Sequence, residues 1–515
     1  MIGRKNPAGR KGLSALALIS AGALALTACA GGEDTGPGDA PQELVIGLSA
    51  DVDNLNPWTA THYSSVEILS LIYGTLTELD EGLEVVPGIA EDWEVSEDGL
   101  TVTFNLRDGV TFADGTELDA DDVVASYESI MDEETGAVSA TYLSTVDEIE
   151  AVDPLTVELT LSSPDAALPS KLALSSTAIL PADVDLEAIQ TTPNGTGPFT
   201  LENRTPSESL TLASNPDFWD GEPILDRVEY RVIPDEQAVV SALQAGNVQM
   251  ATFDDPLVAQ TIGGTVDVIE TPKLDYQVLQ INNQAEPLDD VNVRLALACA
   301  VDRDEVLESA ALGAGEVTGP ITSPAFLSDP SDRPCPEPDL DRARDYLAEA
   351  GYEDGLTLSI IVMQDGYPST AVAQTENLQA QLGQIDVTLE IEALESGNYV
   401  DRWMAADFEL ALALNGSQPD PGVSYERYFM AEGSLNSVAG YTSETLEELF
   451  VQGREETDEE ARAAIYEEVS HELEYEAVWV WLFAPYEYTA LADNVSDFTP
   501  MANGSVRALR DAYID

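Results

Sequence analysis

Three observations predict an α/β protein built from more than one domain. The chain has 515 residues, more than a single ordinary core holds. Leu356–Met363, Ala371–Leu382 and Val387–Ala393 read strand, helix, strand, an order that implies a parallel sheet. Residues 87–131 pass from alternating apolar and polar positions to a capped helix through a series of Asp-Gly turns.

The first residues do not belong to that fold. Arg4, Lys5, Arg10 and Lys11 precede the apolar run LSALALISAGALALTA. The run is short and rich in small residues, so residues 1–28 read as a signal peptide. Leu26-Thr27-Ala28-Cys29 looks like a bacterial lipobox, with cleavage before Cys29 and lipid attached to its sulfur. Residues 29–42 are a Gly, Pro and acid tether with little to bury. The expected location is therefore the cell membrane, lipid-anchored on its extracytoplasmic side.

Charge narrows the partners. There are 96 acidic and 21 basic residues, a formal net charge of −75. Beyond the presequence, lysine occurs only at Lys171 and Lys273. No basic patch is available for nucleic acid. Self-repulsion at this charge destabilises a compact chain unless salt screens it. A salt-rich exterior and the codon bias of a GC-rich genome both account for the balance. Two cysteines remain, Cys299 and Cys335, and in an exported chain they suggest one disulfide. Two buried thiols are the alternative.

The elements follow in order. Glu43–Leu48 is a strand opening into the polar loop SADVDNLNPW. Residues 64–76 have helical spacing, with Val66, Leu69, Ile72 and Tyr73 on one side. Trp93 and Val95 close one extended run, Ser96–Gly99 turns, and Leu100, Val102, Phe104 and Leu106 alternate on the next, a hairpin. Asp119 caps the following helix, and Asp121 and Asp122 load its first turn. Strands are expected at 146–150, 156–161, 199–203, 209–213, 225–233, 248–253 and 276–282. Helices are expected at 168–174, 236–245 and 289–312. After the Pro-rich residues 313–338 come a helix at 340–350 and the strand–helix–strand unit. A short helix at 399–405, a strand at 408–414, helices at 442–453 and 459–474, and an apolar strand at 477–482 complete the chain, whose tail returns through Pro485.

Several stretches together resemble a known family. Ala90 and Asp98, then TVTFNLRDG, then F-x-D-G-x-x-x-x-A-D-D-V from Phe112 to Val123 form one signature. NGTGPF at 194–199 followed by NPDFW at 215–219 forms a second. AGNVQMATF at 245–253, V-R-x-A-L-x-x-A-V-D-R from Val293 to Arg303, and Tyr73 with Leu76 add to them. The chain resembles the family 5 extracellular solute-binding proteins, the peptide/nickel-type binding components of ABC importers, over most of residues 43–500. The resemblance implies a two-lobed periplasmic-binding-protein fold, type II, of the large peptide-binding class, with ligand enclosed between the lobes. Lobe I would comprise 43–275 with an inserted subdomain at about 85–190, lobe II 276–485, and 486–515 would return to lobe I. It also implies a monomer that uses no cofactor and hands a peptide or small-molecule ligand to permease and ATPase subunits on other chains.

The residues offer little for catalysis. Only His62 and His471 exist, and no zinc motif, nucleophile elbow or phosphate-binding glycine loop is present. The rival enzyme reading therefore lacks a motif, and histidine is too scarce for nickel.

Ligand candidates come from the loops that the resemblance places at the cleft: Asn54, Trp58 and Tyr63 in the first, and Asn415, Ser417, Gln418 and Asp420 in NGSQPDP. The peptide-binding branch places an aspartate, four residues before a proline, against the ligand's ammonium. Here Ser417 stands before Pro421, and Asp420 is the nearest carboxylate that takes such a role, unless Asp420-Pro421 is simply a turn. The dipeptide subset places an arginine after the 356–363 strand, where this chain has Asp365. Trp403 either packs in the core or, with Trp58, Tyr63, Asn415 and Gln418, serves a sugar. An oligopeptide is the expected ligand, with an oligosaccharide or other metabolite as the alternative.

Overall fold

The computed structural model describes residues 42–515 apart from 265, 366 and 367. The signal peptide, Cys29 and nearly all of the tether lie outside the described residues.

One strand organises the architecture. Trp479–Ala492 runs for 14 residues and is buried almost throughout. Its first part pairs antiparallel with Tyr276–Ile281 and its last part with Met250–Phe253, while Gly315–Val317 and Val266–Pro272 pair with its middle and end. It thereby joins two half-sheets into one 12-stranded sheet. On one flank Tyr276–Ile281 pairs antiparallel with Leu410–Asn415, which lies parallel to Leu356–Met363 and so to Val387–Leu394. On the other flank Met250–Phe253 lies parallel to Glu43–Leu48, then Arg227–Val232, and the hairpin Ser209–Ser214 with Phe199–Thr205 ends the sheet. The strand–helix–strand unit at 356–394 is parallel, as the order of its elements predicts.

Each half-sheet has its own core. One cluster draws on buried residues between Tyr276 and Phe483, with Trp479 and Trp481 fully enclosed beside Tyr428 and Phe429. All six residues of Tyr276–Ile281 are buried, as expected for a strand covered on both faces. A second cluster combines residues 44–250 with Leu491, Phe498, Val506, Leu509 and Ala512. A four-stranded antiparallel sheet, Ala90–Val95, Thr101–Leu106, Thr156–Leu161 and Val146–Asp153, contributes to it. Asp119 caps the helix Ala120–Met131, and Asp122 returns a hydrogen bond to the cap, completing a capping box. Cys299 and Cys335 are joined by a disulfide with a Cα–Cα distance of 5.0 Å.

The structure departs from the sequence reading at several places, among them four that bear on the site. The terminal strand does not stop near 482: it passes through Pro485, which has no N–H to give, and the Pro485 carbonyl accepts the Lys273 N–H at 2.9 Å. Pro421–Phe429, unpredicted, is a helix capped by Asp420. The expected helix at 289–312 breaks after Ala300, where Asp302 caps a new turn. The helix Tyr63–Ile72 buries Glu67 and leaves Val66 40% exposed. Val66 belongs with the apolar side by spacing, but that edge of the helix faces a cavity.

Candidate functional site

Three cavities follow one another between residues of the two cores. The first, about 410 Å³, is lined by Tyr63, Val66, Glu67, Ser175, Lys273–Asp275, Gly416–Gln418 and residues 502–505. Gln418 also lines the next, of about 440 Å³, with Lys171, Glu426 and Arg454. Asp165, Asp420 and Arg462 connect that to a third of about 550 Å³, which Phe326, Pro164 and Trp93 also border. At these sizes the cavities suit small organic ligands.

The middle cavity is a zone of opposed charges. Lys171 pairs with Asp165 at 2.6 Å, Arg454 with Glu426 at 2.6 Å, and Arg462 with Asp420 at 2.6 Å. Burial raises the Glu426 carboxyl, and Arg454 opposes the rise. The Ala166 N–H donates to the Arg454 carbonyl at 2.8 Å, joining the two walls directly.

The first cavity sits where the chain passes from Val266–Pro272 to Tyr276–Ile281. The linking residues are Lys273, Leu274 and Asp275. Lys273 pairs with Asp254 at 3.1 Å and Asp275 at 3.5 Å, and its ammonium lies 5.3 Å from the Tyr63 ring centre. Glu67 and Glu487 complete the group. Burial pushes Glu67 well above the usual carboxylate range, with Glu487 and Asp254 adding repulsion and Lys273 opposing. Burial likewise lifts Glu487 to about 7. Asp275 is raised by burial, while Lys273 and the Ser417 N–H favour its charged form. Tyr63 is 49% exposed overall, yet its hydroxyl donates to the Asn503 carbonyl at 3.2 Å and is enclosed, so its ionisation is pushed up.

These positions correct several expectations. Tyr63, Ser417 and Gln418 do line the first cavity. Trp58 does not: it is 1% exposed, and its indole N–H donates to the Ala178 carbonyl at 2.9 Å. With its one polar atom satisfied, the ring is most stable in the core. Asn54 is spent on its own loop, accepting from the Asn56 N–H at 2.9 Å and donating to the Thr59 carbonyl at 3.3 Å. Asn415 is buried and bonds with Gln280 and the Tyr276 hydroxyl. Trp403 donates to Gln280 at 2.5 Å and packs against the core. Asp365 is exposed, accepts the Ser396 N–H at 2.9 Å and borders none of the three cavities. Asp420 borders two cavities, but its carboxylate is committed to the Gly422 N–H and to Arg462, so it is no free partner for an ammonium.

Glu67, Lys171, Lys273 and Asp275 are not among the ligand candidates read from the sequence, where the two lysines enter only through the charge balance. Lysine scarcity is the signal that points to two of them. The only two lysines after residue 11 both line cavities, and both are held by carboxylates.

Comparisons with known proteins bear on the family and the fold. The family model described as "Bacterial extracellular solute-binding proteins, family 5 Middle" matches residues 84–436. The dipeptide-binding protein of Escherichia coli strain K12 is 28% identical over 459 residues, 82% of this chain and 86% of that protein. Among solved structures, HbpA2 from Haemophilus parasuis superposes with a TM-score of 0.83 at 25% identity, covering 92% of this chain and 100% of that one. The DppA protein of Helicobacter pylori in complex with the peptide STSA gives a TM-score of 0.74 at 26% identity, covering 92% and 98%. These neighbours are two-lobed binding proteins of transport systems rather than enzymes, and the chain belongs to the bacterial family 5 extracellular solute-binding proteins.

Proposed function

We propose that the chain captures a short peptide in the linked cavities and delivers it to an ABC importer whose permease and ATPase are separate chains. The observation that carries this reading is the row of three cavities between two cores joined by the Trp479–Ala492 strand. Such a row has room for an extended backbone, and its charged pairs offer both signs to the ends of a peptide. The likeness to a dipeptide-binding protein and to a peptide complex supports it.

In this reading residues 43–275 with 486–515 form one lobe, 276–485 the other, and the segments at 272–276 and 485 carry the hinge. Ligand shifts an open–closed equilibrium toward the closed form, which the permease recognises. Cys29 carries the lipid that holds a monomer at the outer face of the membrane. A sugar ligand is disfavoured because Trp58 and Trp403, two of the three aromatic platforms it would use, are occupied by packing, leaving Tyr63 alone at the cavity.

Thermal unfolding with defined peptide pools tests the proposal. A ligand at a hundred times its Kd stabilises the folded chain by about 2.7 kcal/mol. Pools of di- to pentapeptides are expected to raise the melting temperature and pools of oligosaccharides to leave it unchanged. The reverse pattern refutes the peptide assignment.

A further inference from the structure

The first cavity contains a carboxylate with nothing to hold. Glu67 is 8% exposed and lines the cavity. Among the described residues no hydrogen bond or ion pair reaches its side chain, and Lys273 acts on it only at longer range. Leaving a buried carboxyl unpaired costs stability. The helix Tyr63–Ile72 forms regardless, with Glu67 on its buried side and Ile68, Leu69, Leu71 and Ile72 anchoring it.

Asp275 lines the same cavity beside Gly416 and Ser417. Its side chain retains 27% exposure. Asp254 and Glu487 stand near, and the shared cation is Lys273. Arg507 also reaches the cavity but is engaged by Glu78 at 3.1 Å, which holds Arg510 as well. Four carboxylates thus surround one lysine, and one of those facing the cavity has no partner.

We propose that this cavity receives a cationic nitrogen of the ligand, placed between Glu67 and Asp275. The proposal rests on the peptide reading above, in which the cation is either the amino terminus or a lysine or arginine side chain. Either source supplies the charge and the N–H donors that Glu67 lacks. Tyr63 lines the same cavity, and its ring already has the Lys273 ammonium 5.3 Å from its centre, a position in which a cation is favoured. An anionic group there would be repelled by the surrounding carboxylates, and a neutral one would hydrogen-bond Glu67 without using the negative charge gathered around Lys273.

The test is affinity selection followed by mass spectrometry. Wild-type protein in 1 M NaCl is offered three random tripeptide pools: free amino ends; N-acetylated without lysine or arginine; and N-acetylated with them. Retention of the first pool at least tenfold above the second supports the proposal and assigns the cation to the amino terminus. Retention of the third above the second supports it and assigns the cation to a side chain. Equal retention of all three overturns the proposal and leaves the peptide reading standing. Retention of none overturns the peptide reading and the proposal with it. The Glu67→Gln and Asp275→Asn variants, both close to isosteric, are expected to reduce the preference for the cationic pool at least tenfold. An unchanged preference in both would remove these residues from the role. The wild-type comparison stands even where a variant fails to fold.

Discussion

Replacing Glu487 with glutamine should change how stability depends on pH, in a direction fixed by its surroundings. Glu487 lies on the long strand opposite Thr271, 6% exposed. Burial is the main cause of its raised pKa; Lys273 lowers it, and Asp254 and Asp275 raise it, leaving it at about 7 against an ordinary 4.5. The folded value is above the unfolded one. Its contribution is therefore fully present below about 4.5 and lost as the pH rises through about 7. A rise from 4.5 to about 7, at about 1.4 kcal/mol per pH unit, amounts to about 3 kcal/mol. Glutamine keeps the shape and cannot ionise. Glu487→Gln is expected to match the wild type near pH 4 and to exceed it by up to about 3 kcal/mol at pH 8.5. Urea unfolding at a series of pH values, all in 1 M NaCl to screen the rest of the charge, measures the difference. Parallel curves for the two proteins would show that Glu487 ionises normally and that the carboxylate group at the crossover is not desolvated.

Three further outcomes are expected. Gly504 has φ +71°, and a Cβ there would collide with the Tyr63 hydroxyl; Gly504→Ala should cost about 1–3 kcal/mol and weaken ligand binding by displacing Tyr63, as read by urea unfolding and by titration with a bound peptide. The double variant Cys299→Ala, Cys335→Ala opens a link across a sequence separation of 36, so unfolding in urea should show a loss of about 3–4 kcal/mol. With a formal net charge of −75, the melting temperature should climb between 0.1 and 1 M NaCl as the screening length falls from about 10 to about 3 Å; a flat response would mean that self-repulsion does not limit stability.

Much of the fold was legible because local chemistry and tertiary structure agree there. Asp119 with Asp122 specifies a helix start, the alternation from Leu100 to Leu106 specifies a half-buried strand, and both form as read. The site was less legible because its residues act against their local signals. Val66 looks like core and faces a cavity; Glu67 looks like surface and is buried. Pro485 looks like a strand end, but a neighbouring chain segment uses its carbonyl. Trp58 carried a binding-site appearance from its polar loop, while Ala178, 120 residues away, supplies the acceptor that keeps it in the core. Such pairings depend on which distant segments meet, and spacing along one chain does not encode that.

The central claim is that the linked cavities hold a short peptide. Its most direct test is native mass spectrometry of residues 43–515, purified without denaturation in high salt, followed by release and identification of whatever is bound. A ladder of short-peptide masses carrying free amino ends or basic residues is expected. A single sugar or other uncharged metabolite at full occupancy would contradict it.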